Sequence, residues 1–170
     1  MLLTLASAAS MAAAAAAAAR PHVLIMLADD LGYNDISAHG SSQIPTPAID
    51  GLMERGARLD QYYVQPVCSP TRATLLTGRH VIHTGVYDPV LSGNKGDLSL
   101  NFTMLPQRLA QVGYSCHMVG KWHLGDSSWR FTPLARGFLT YTGYLGGAED
   151  YWKHRPVQSF SRLGLCGAHS

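Results

Sequence analysis

Residues 59–79 read LDQYYVQPVCSPTRATLLTGR and predict a strand, a break and a helix in succession. The strand is expected over residues 59–64, and the dipeptide Gln65-Pro66 ends it because proline cannot donate to a β-ladder. The helix is expected to open at Ser69-Pro70 and to continue until Gly78 ends it. A strand that passes through a short connection into a helix is the repeating unit of an α/β fold.

The first turn of this helix carries residue types that suit an anion. Proline loses nothing at a helix start, because its missing N–H has no partner there, and Ser69 can cap the helix through its hydroxyl. Cys68 would lie at the positive end of the helix dipole, where anions and ionised nucleophiles are favoured. Arg72 adds a fork of donors that fits a tetrahedral oxyanion such as sulfate or phosphate. The alternative interpretation is an ordinary loop cysteine and a solvated arginine.

Elements of the same kinds flank this unit on both sides. The run HVLIMLA at His22–Ala28 is typical of a central parallel strand that is buried on both faces. The other predictions are a helix over 46–55, a loop over 85–100, a helix over 103–112 and a strand over 114–120. This order predicts an α/β fold with a mainly parallel sheet flanked by helices.

Chemically reactive side chains follow three of the predicted strands. Asp29 and Asp30 come directly after the first strand. Cys68 comes after the loop that leaves the second strand, and Lys121 and His123 follow the third. Because ligand sites in parallel sheets lie outside the carboxyl ends of the strands, these residues are expected at one edge of the sheet.

The flanking groups have chemistry of their own. Asp29 and Asp30 offer adjacent carboxylates, which suit a hard cation such as calcium, although a turn or helix-capping pair is the alternative. Lys121 and His123 are two residues apart, so an extended segment would aim both at one anion. His123 could also move protons near neutral pH. The alternative is a surface lysine and a histidine packed beside Trp122.

Length and composition limit the class of protein. A chain of 170 residues fits one domain of ordinary size. A hydrophobic content of 46% with 14% charged residues indicates a folded core and not a disordered chain. The net charge of +2 is too small to indicate a nucleic-acid partner.

The N-terminal segment, residues 1–20, is small and apolar and contains no acidic residue. It suits a secretory signal peptide, although the usual basic start is missing. A poly-alanine helix, a retained membrane anchor and a transit peptide are the alternatives. The signal would place the chain in the secretory pathway, in a lysosomal, extracellular or periplasm-like compartment.

The cysteine count fits an oxidising compartment with one special thiol. The three cysteines are Cys68, Cys116 and Cys166, and an odd number indicates a free or modified thiol. Cys116 and Cys166 could pair, and nothing in the sequence fixes this. In a secreted chain Asn101-Phe102-Thr103 is an N-glycosylation acceptor.

Three motifs together resemble the sulfatase family. The segment 68–72 reads C-S-P-T-R and continues to T-G-R at 77–79, which is similar to the family signature C-x-P-S/T-R followed by T-G-R. The motif L-A-D-D-L-G at 27–32 resembles the family's metal motif, and G-K-W-H-L-G at 120–125 resembles a further family motif.

The resemblance covers residues 21–152, as the N-terminal part of a sulfatase catalytic domain, and 153–170 is a divergent tail. Within it, Gly137-Phe138 and Gly143-Tyr144-Leu145 resemble the arylsulfatase B subgroup with its I and J relatives. The resemblance implies the alkaline-phosphatase-like superfold and the hydrolysis of sulfate esters, either aryl sulfates or sulfated carbohydrates.

The resemblance also implies a mechanism. In this family a formylglycine-generating enzyme oxidises the cysteine of the signature, here Cys68, to formylglycine. The hydrated aldehyde attacks the sulfur of the ester, the alcohol leaves, and the diol sulfate collapses to aldehyde and free sulfate. Arg72 would steady the formylglycine and the metal, and Lys121 and His123 would contact the nucleophile and the sulfate.

By the same resemblance a calcium ion, bound by Asp29, Asp30 and the formylglycine made from Cys68, would polarise the sulfate. The chain departs from the family in length, since sulfatases have several hundred residues. A second pair of metal ligands, a further histidine and a lysine that contacts sulfate have no counterpart here. The chain therefore looks like a fragment, a truncated gene model or an alternative product, whose missing strands would leave sheet edges unpaired.

Three functions stay open on the sequence. The first is a sulfuric ester hydrolase. The second is a truncated, non-catalytic fragment that keeps the modification motif but lacks the downstream ligands. The third is a related phosphate or phosphonate ester hydrolase, because fold alone does not choose between two tetrahedral anions.

Overall fold

The computed structural model describes residues 20–93 and 96–156. Residues 1–19 of the predicted signal, the tail beyond 156 and the candidate partner Cys166 lie outside these ranges. Within them, no helix combines the length and the apolar character that crossing a membrane requires.

The helices of the described residues are short. They are α1 (Pro47–Arg55), α2 (Cys68–Thr77), α3 (Val81–Thr84) and α4 (Leu105–Gln111). Short 3-10 turns lie at Tyr33–Asp35, Ser37–His39, Trp129–Phe131 and Leu134–Arg136. The three predicted helices over 46–55, from 69 to Gly78 and over 103–112 are confirmed, with ends that differ by one or two residues.

Residues with special backbone preferences set the ends of these helices. Pro47, Pro70 and Pro106 lie in the first turns of α1, α2 and α4, where a missing N–H costs nothing. Gly78 and Gly85 end α2 and α3 in the left-handed conformation, with φ of 66° and 71°. The stop that the sequence predicted at Gly78 is therefore confirmed.

Two pairs of strands are formed in the described part of the chain. β1 (His117–Val119) runs parallel to β2 (Thr140–Thr142), and β3 (Glu149–Asp150) runs antiparallel to β4 (Arg155–Pro156). β1 lies within the strand predicted over 114–120. The helices and the parallel pair together make an α/β arrangement.

The parallel alignment continues beyond the ends of β1 and β2. The N–H groups of Gly120, Trp122 and His123 donate to the carbonyls of Thr142, Tyr144 and Leu145 at 2.8, 3.0 and 3.0 Å. At Gly143 (φ 152°) the two backbones are so close that an added Cβ would overlap the carbonyl oxygen of Gly120. The segment that carries Lys121 and His123 is therefore held against residues 142–145.

The apolar core lies between α2 and this segment. Its buried members are Ala73, Val86, Val90, Leu98, Met104, Trp122 and Leu124. The indole N–H of Trp122 donates to the carbonyls of Gly125 and Phe131, both at 3.0 Å, which satisfies the polar atom of a buried ring. Because Trp122 is fixed in the core, the residues on either side of it are fixed as well.

A buried arginine holds the loop before α4. The guanidinium of Arg136 donates to the carbonyl of Phe102 at 2.9 Å and reaches the carbonyl of Ser99 at 3.4 Å. Burial lowers the pKa of Arg136. The sequence did not predict this role. The exposed turn that contains Asn101 is consequently anchored on both sides.

Two predicted strands are wrong. The segments His22–Ala28 and 59–64 pair with no strand within the described residues, and their apolar side chains are exposed, with Leu24 at 82% and Tyr63 at 86%. An apolar run is stable as a strand only where neighbouring strands take its N–H and C=O groups and cover its faces. The parallel sheet of the described chain has two strands, so neither condition is met.

Candidate functional site

The first turn of α2 forms one wall of a cleft. The chain enters α2 from Val67 in extended conformation, and Cys68, the first helical residue, is half-buried. The cleft has a volume of about 180 Å³ and is lined by residues of the segments 27–31, 64–68 and 71–72. Cys68 therefore has a solvent-open space in front of it.

The cleft brings four predicted site residues together. Asp29, Asp30, Cys68 and Arg72 all line it. Lys121 and His123 do not line it, but Lys121 contacts two of the residues that do, Asp29 and Arg72. A larger depression of about 340 Å³ beside α1 contains none of the predicted site residues.

Arg72 connects the cleft to the segment after β1. It is 8% exposed, and its Nη1 donates to the carbonyl oxygen of Lys121 at 2.5 Å. Its Nη2 lies 3.6 Å from Oδ1 of Asp29. Its Nε is buried and has no hydrogen-bond partner among the described residues. One donor of this buried cation is therefore unsatisfied.

Lys121 forms an ion pair with Asp29. Its Nζ donates to Oδ2 at 2.9 Å and to Oδ1 at 3.2 Å, and its side chain is 8% exposed against 42% for that of Asp29. Burial alone raises the pKa of Asp29, but the hydrogen bond and charge of Lys121, with those of Arg72, outweigh burial and hold the pKa below its ordinary value. The carboxylate is therefore ionised and shared by two cations.

His123 is held in an unusual backbone conformation. Its φ is 57°, and its N–H donates to the carbonyl of Leu145 at 3.0 Å. The extended geometry expected for residues 121–123 does not continue through His123, because a left-handed residue interrupts the alternation of side chains. That Lys121 and His123 act on one anion stays a prediction. The direction of the imidazole is set by this turn and by packing.

The imidazole of His123 is buried and neutral at physiological pH. The residue is 5% exposed, and its Nδ1 has no hydrogen-bond partner in the described part of the chain. Burial, followed by the charges of Lys121 and Arg72, lowers the pKa of His123 below 6.5, and the backbone of Val90 and the charge of Asp29 oppose this shift without reversing it. A buried, unpaired ring nitrogen can accept or donate a proton when a ligand reaches it.

Ser69 joins the Cys68 helix to His123. The predicted capping role of Ser69 is wrong, since Val67 is the N-cap residue and makes no side-chain cap. The Ser69 hydroxyl is fully buried, donates to the carbonyl of His123 at 2.7 Å and accepts from the N–H of Val90 at 2.9 Å. No pattern in the sequence indicates this link, because it joins residues that are far apart in the chain.

The predicted metal ligands line the cleft without enclosing an ion. Within residues 20–93 and 96–156 no group of three or more His, Cys, Asp or Glu side chains is close enough to hold a metal. Asp29 is engaged by Lys121 and Arg72, and Asp30 has a left-handed φ of 52°. Calcium takes roughly six to eight oxygen ligands, so the two carboxylates suit calcium chemically but make up only part of a shell.

Known proteins are similar to this chain in sequence. A sequence model of the family described as Sulfatase matches residues 21–164. Over 150 residues the chain is 44% identical to arylsulfatase J of Mus musculus, a match that covers 88% of this chain and 24% of the mouse protein. The chain thus spans about a quarter of the length of that relative.

Solved structures are similar to this chain in fold. The PsFucS1 sulfatase from Pseudoalteromonas sp. matches with a TM-score of 0.69 and 32% identity, over 85% of this chain and 30% of that one. Ps i-CgsB, solved in complex with k-i-k-neocarrahexaose, matches with a TM-score of 0.68 and 35% identity, over 72% and 28%. The predicted alkaline-phosphatase-like α/β fold is confirmed for the part of the fold that this chain covers.

Proposed function

Because the chain belongs to the sulfatase family, we propose that the Cys68 cleft serves the hydrolysis of sulfate esters in the whole protein. One observation carries the proposal: the cations Arg72 and Lys121 meet on Asp29, which lines the same cleft as Cys68. Two nearly buried cations beside an open cleft favour an anionic ligand that offers several oxygen atoms.

We propose that Cys68 is the residue that becomes the nucleophile. The formylglycine-generating enzyme would be the partner that reads the segment 68–72. A two-electron oxidation by an external oxidant, with water as the oxygen source in the overall balance, replaces the thiol by an aldehyde and releases hydrogen sulfide. The family signature and the position of Cys68 at an open cleft support this proposal.

Other side chains of the cleft region would bind the sulfate and transfer the proton. In the overall reaction the oxygen of water is added to sulfur, the bond from sulfur to the ester oxygen breaks, and a proton goes to the departing alcohol. Arg72, which lines the cleft, and Lys121 would bind the sulfate oxygens. His123 is neutral and has a free Nδ1, so it would accept or return the proton.

We propose calcium as the metal, with Asp29 and Asp30 among its ligands. When bound, calcium would polarise the sulfate. Carboxylate oxygens are the ligands that calcium prefers, which supports the assignment. Calorimetry with calcium chloride tests it: Asp29→Asn and Asp30→Asn should weaken binding, and Asp60→Asn, at an exposed carboxylate, should not. Equal calcium affinities of the Asp29→Asn, Asp30→Asn and Asp60→Asn variants would contradict the assigned ligands.

The proposed substrate class rests on the ligand of a similar solved structure. Ps i-CgsB was solved in complex with k-i-k-neocarrahexaose, a saccharide. We propose that the protein acts on a sulfated carbohydrate or an aryl sulfate, because either one presents the same sulfate group to Arg72 and Lys121. Relative rates on sulfate and phosphate esters separate this proposal from a phosphate ester hydrolase.

A second candidate is a protein that keeps the modification motif without catalysing turnover. The specific observation in its favour is the small number of metal ligands in the described cleft. In that case Cys68 would still be oxidised, because the modifying enzyme reads a local segment, and no sulfate would be released.

Sulfate release from an aryl sulfate, measured together with the intact mass, tests the proposed function. Cys68→Ala should abolish turnover and remove the aldehyde from the mass spectrum. Cys116→Ala is the matched control, because Cys116 lies outside the cleft and should leave both unchanged. Turnover that survives in Cys68→Ala overturns the mechanism, and an aldehyde without turnover selects the second candidate.

We also propose that the protein enters the secretory pathway and carries an N-glycan at Asn101. The support is the apolar segment 1–20 and the acceptor sequence Asn101-Phe102-Thr103, whose Asn101 is exposed in a turn.

A further inference from the structure

We propose that Gly147 is a positioning residue that keeps the imidazole of His123 in place, an inference that rests on the proposed function of His123. An alanine methyl at position 147 would lie 2.9 Å from both Cε1 and Nε2 of His123, and 3.6 Å from Nδ1. A Cβ atom is essentially never found this close to a non-bonded atom, so either the methyl group or the imidazole would have to move.

Space, and not backbone conformation, is what requires glycine at this position. Gly147 is not among the glycines with positive φ, so an alanine could adopt its backbone without strain. The same holds for its neighbour Gly146, which has no atom within 4 Å of an added Cβ. The two adjacent glycines therefore differ in one respect, which is the ring that packs against Gly147.

The imidazole ring of His123, and not its backbone, would move away from the added methyl group. The backbone of His123 is fixed at both polar atoms, by the carbonyl of Leu145 and by the hydroxyl of Ser69. The residue is only 5% exposed, so a displaced imidazole cannot swing freely into solvent. A methyl at position 147 would therefore redirect the imidazole and its unpaired Nδ1 within a packed site.

This contact explains why glycine occupies position 147. The backbone at 147 lies against the edge of the imidazole that contains Cε1 and Nε2, and the buried Nδ1 has no hydrogen-bond partner among the described residues. A change in ring direction would change which nitrogen can exchange a proton with a ligand. Gly147 thus acts on the reaction through His123 and is not itself a catalytic residue.

The experiment compares Gly147→Ala with the matched control Gly146→Ala in the full chain. Proton NMR follows the Cε1–H resonance of His123, which is identified by its loss in His123→Ala. Gly147→Ala should shift this resonance and its midpoint of titration, and Gly146→Ala should shift neither. Where turnover is measured, kcat should fall by about 100-fold with little change in KM, as for a catalytic group displaced by about 1 Å.

A double-mutant cycle separates positioning from a general loss of stability. Gly147→Ala should lower the urea midpoint of the wild-type chain and have little effect in the His123→Ala background, because the clash is then absent. If Gly147→Ala alone fails to fold, recovery in the double variant supports the proposal. A double variant that also fails to fold, or a His123 resonance that does not move in Gly147→Ala, overturns it.

The resonance and the urea midpoint are read without substrate, so they do not depend on the proposed function. A wild-type chain that is inert towards sulfate esters, with a resonance that shifts as expected, overturns the proposed function alone. An active chain whose Gly147→Ala variant keeps its kcat overturns the positioning role alone.

Discussion

The hydroxyl of Ser69 donates a hydrogen bond of 2.7 Å to the carbonyl of His123, which lies 54 residues further along the chain. The same hydroxyl accepts from the N–H of Val90 at 2.9 Å. Ser69, the residue directly after Cys68, therefore fixes the position of the His123 backbone relative to the start of α2. The nucleophile position and the imidazole are connected through one side chain.

Ser69→Ala should destabilise the chain, because it leaves the N–H of Val90 and the carbonyl of His123 buried without a partner. Each unsatisfied buried group costs about 1–3 kcal/mol, so we expect a loss of about 2 kcal/mol or more in the free energy of unfolding. Urea denaturation measures it. Ser42→Ala, at an exposed serine, is the control. Equal effects of the two substitutions would contradict the assigned role.

Gly143→Ala should be among the most damaging small substitutions in this chain. The added Cβ would overlap the carbonyl oxygen of Gly120 and would push apart the two segments that continue β1 and β2. We expect a loss of about 3 kcal/mol or more in the free energy of unfolding.

Gly40→Ala is the control for this loss. Gly40 also has a positive φ, of 100°, but an added Cβ there meets no atom within 4 Å. It should cost only the backbone strain, about 1–2 kcal/mol. A thermal melt that shows the same loss for both variants would mean that strain, and not the clash, explains Gly143.

His123 should make the stability of the chain depend on pH. Burial, and then the charge of Lys121, hold its folded-state pKa below the ordinary value of 6.5. The unfolded chain therefore binds the proton more readily. The stability that neutral His123 contributes is complete above pH 6.5 and is lost as the pH falls from that value towards the folded-state pKa.

Urea denaturation at about pH 7.5 and about pH 5.5 measures this dependence, because the interval spans the titration of histidine. His123→Gln should remove part of the difference between the two values. His22→Gln, at an exposed histidine, should preserve it. A wild-type difference that persists undiminished in His123→Gln would assign the effect to another group.

Asn101 should carry the glycan if the proposed secretory route is correct. Its side chain is exposed, and Arg136 anchors the loop around it. Expression in a secretory host, followed by enzymatic removal of N-glycans, should lower the apparent mass of the wild type. Asn101→Gln should show no such change, whereas Thr103→Ser keeps the acceptor sequence and should behave as the wild type. An unglycosylated wild type would contradict the proposed route or the proposed site.

The local elements were predictable because their signals are local. Proline in the first turn and glycine at the end define α2 within one residue of its observed bounds, since both act through their own backbone geometry. The strand β1 lies within the strand that the sequence predicted over 114–120. Local signals failed at Ser69, because its hydroxyl donates to the distant carbonyl of His123 and does not cap the helix.

The strands at 22–28 and 59–64 could not be judged from local sequence. A buried parallel strand depends on partners on both sides, and the partners are a property of the whole sheet. Both segments have the right composition and lie exposed in the described structure. A run of apolar residues indicates that a segment requires burial, and whether it is buried depends on the neighbouring strands.

The sequence predicted that several of the candidate residues would lie near one another, and it did not predict how they are arranged. The sequence placed Asp29, Cys68 and Lys121 at one edge of a sheet, and the structure brings Asp29 into the cleft of Cys68 and into contact with Lys121. The sequence did not predict that Lys121 forms an ion pair with Asp29. It also missed the left-handed turn at His123 and the space that Gly147 leaves, because both depend on contacts between distant segments.

Cys68 lines the open cleft, but the burial of the residues after it limits when a modifying enzyme can bind the whole signature segment. Ser69 and Pro70 are fully buried, and the contact from Arg72 to Lys121 spans 49 residues. Ribosomes add about 5–20 residues per second, so synthesis of those 49 residues takes about 2–10 s. The proposed oxidation of Cys68 would therefore compete with chain elongation, and a slow modifying enzyme would leave a folded protein whose thiol segment is closed to it.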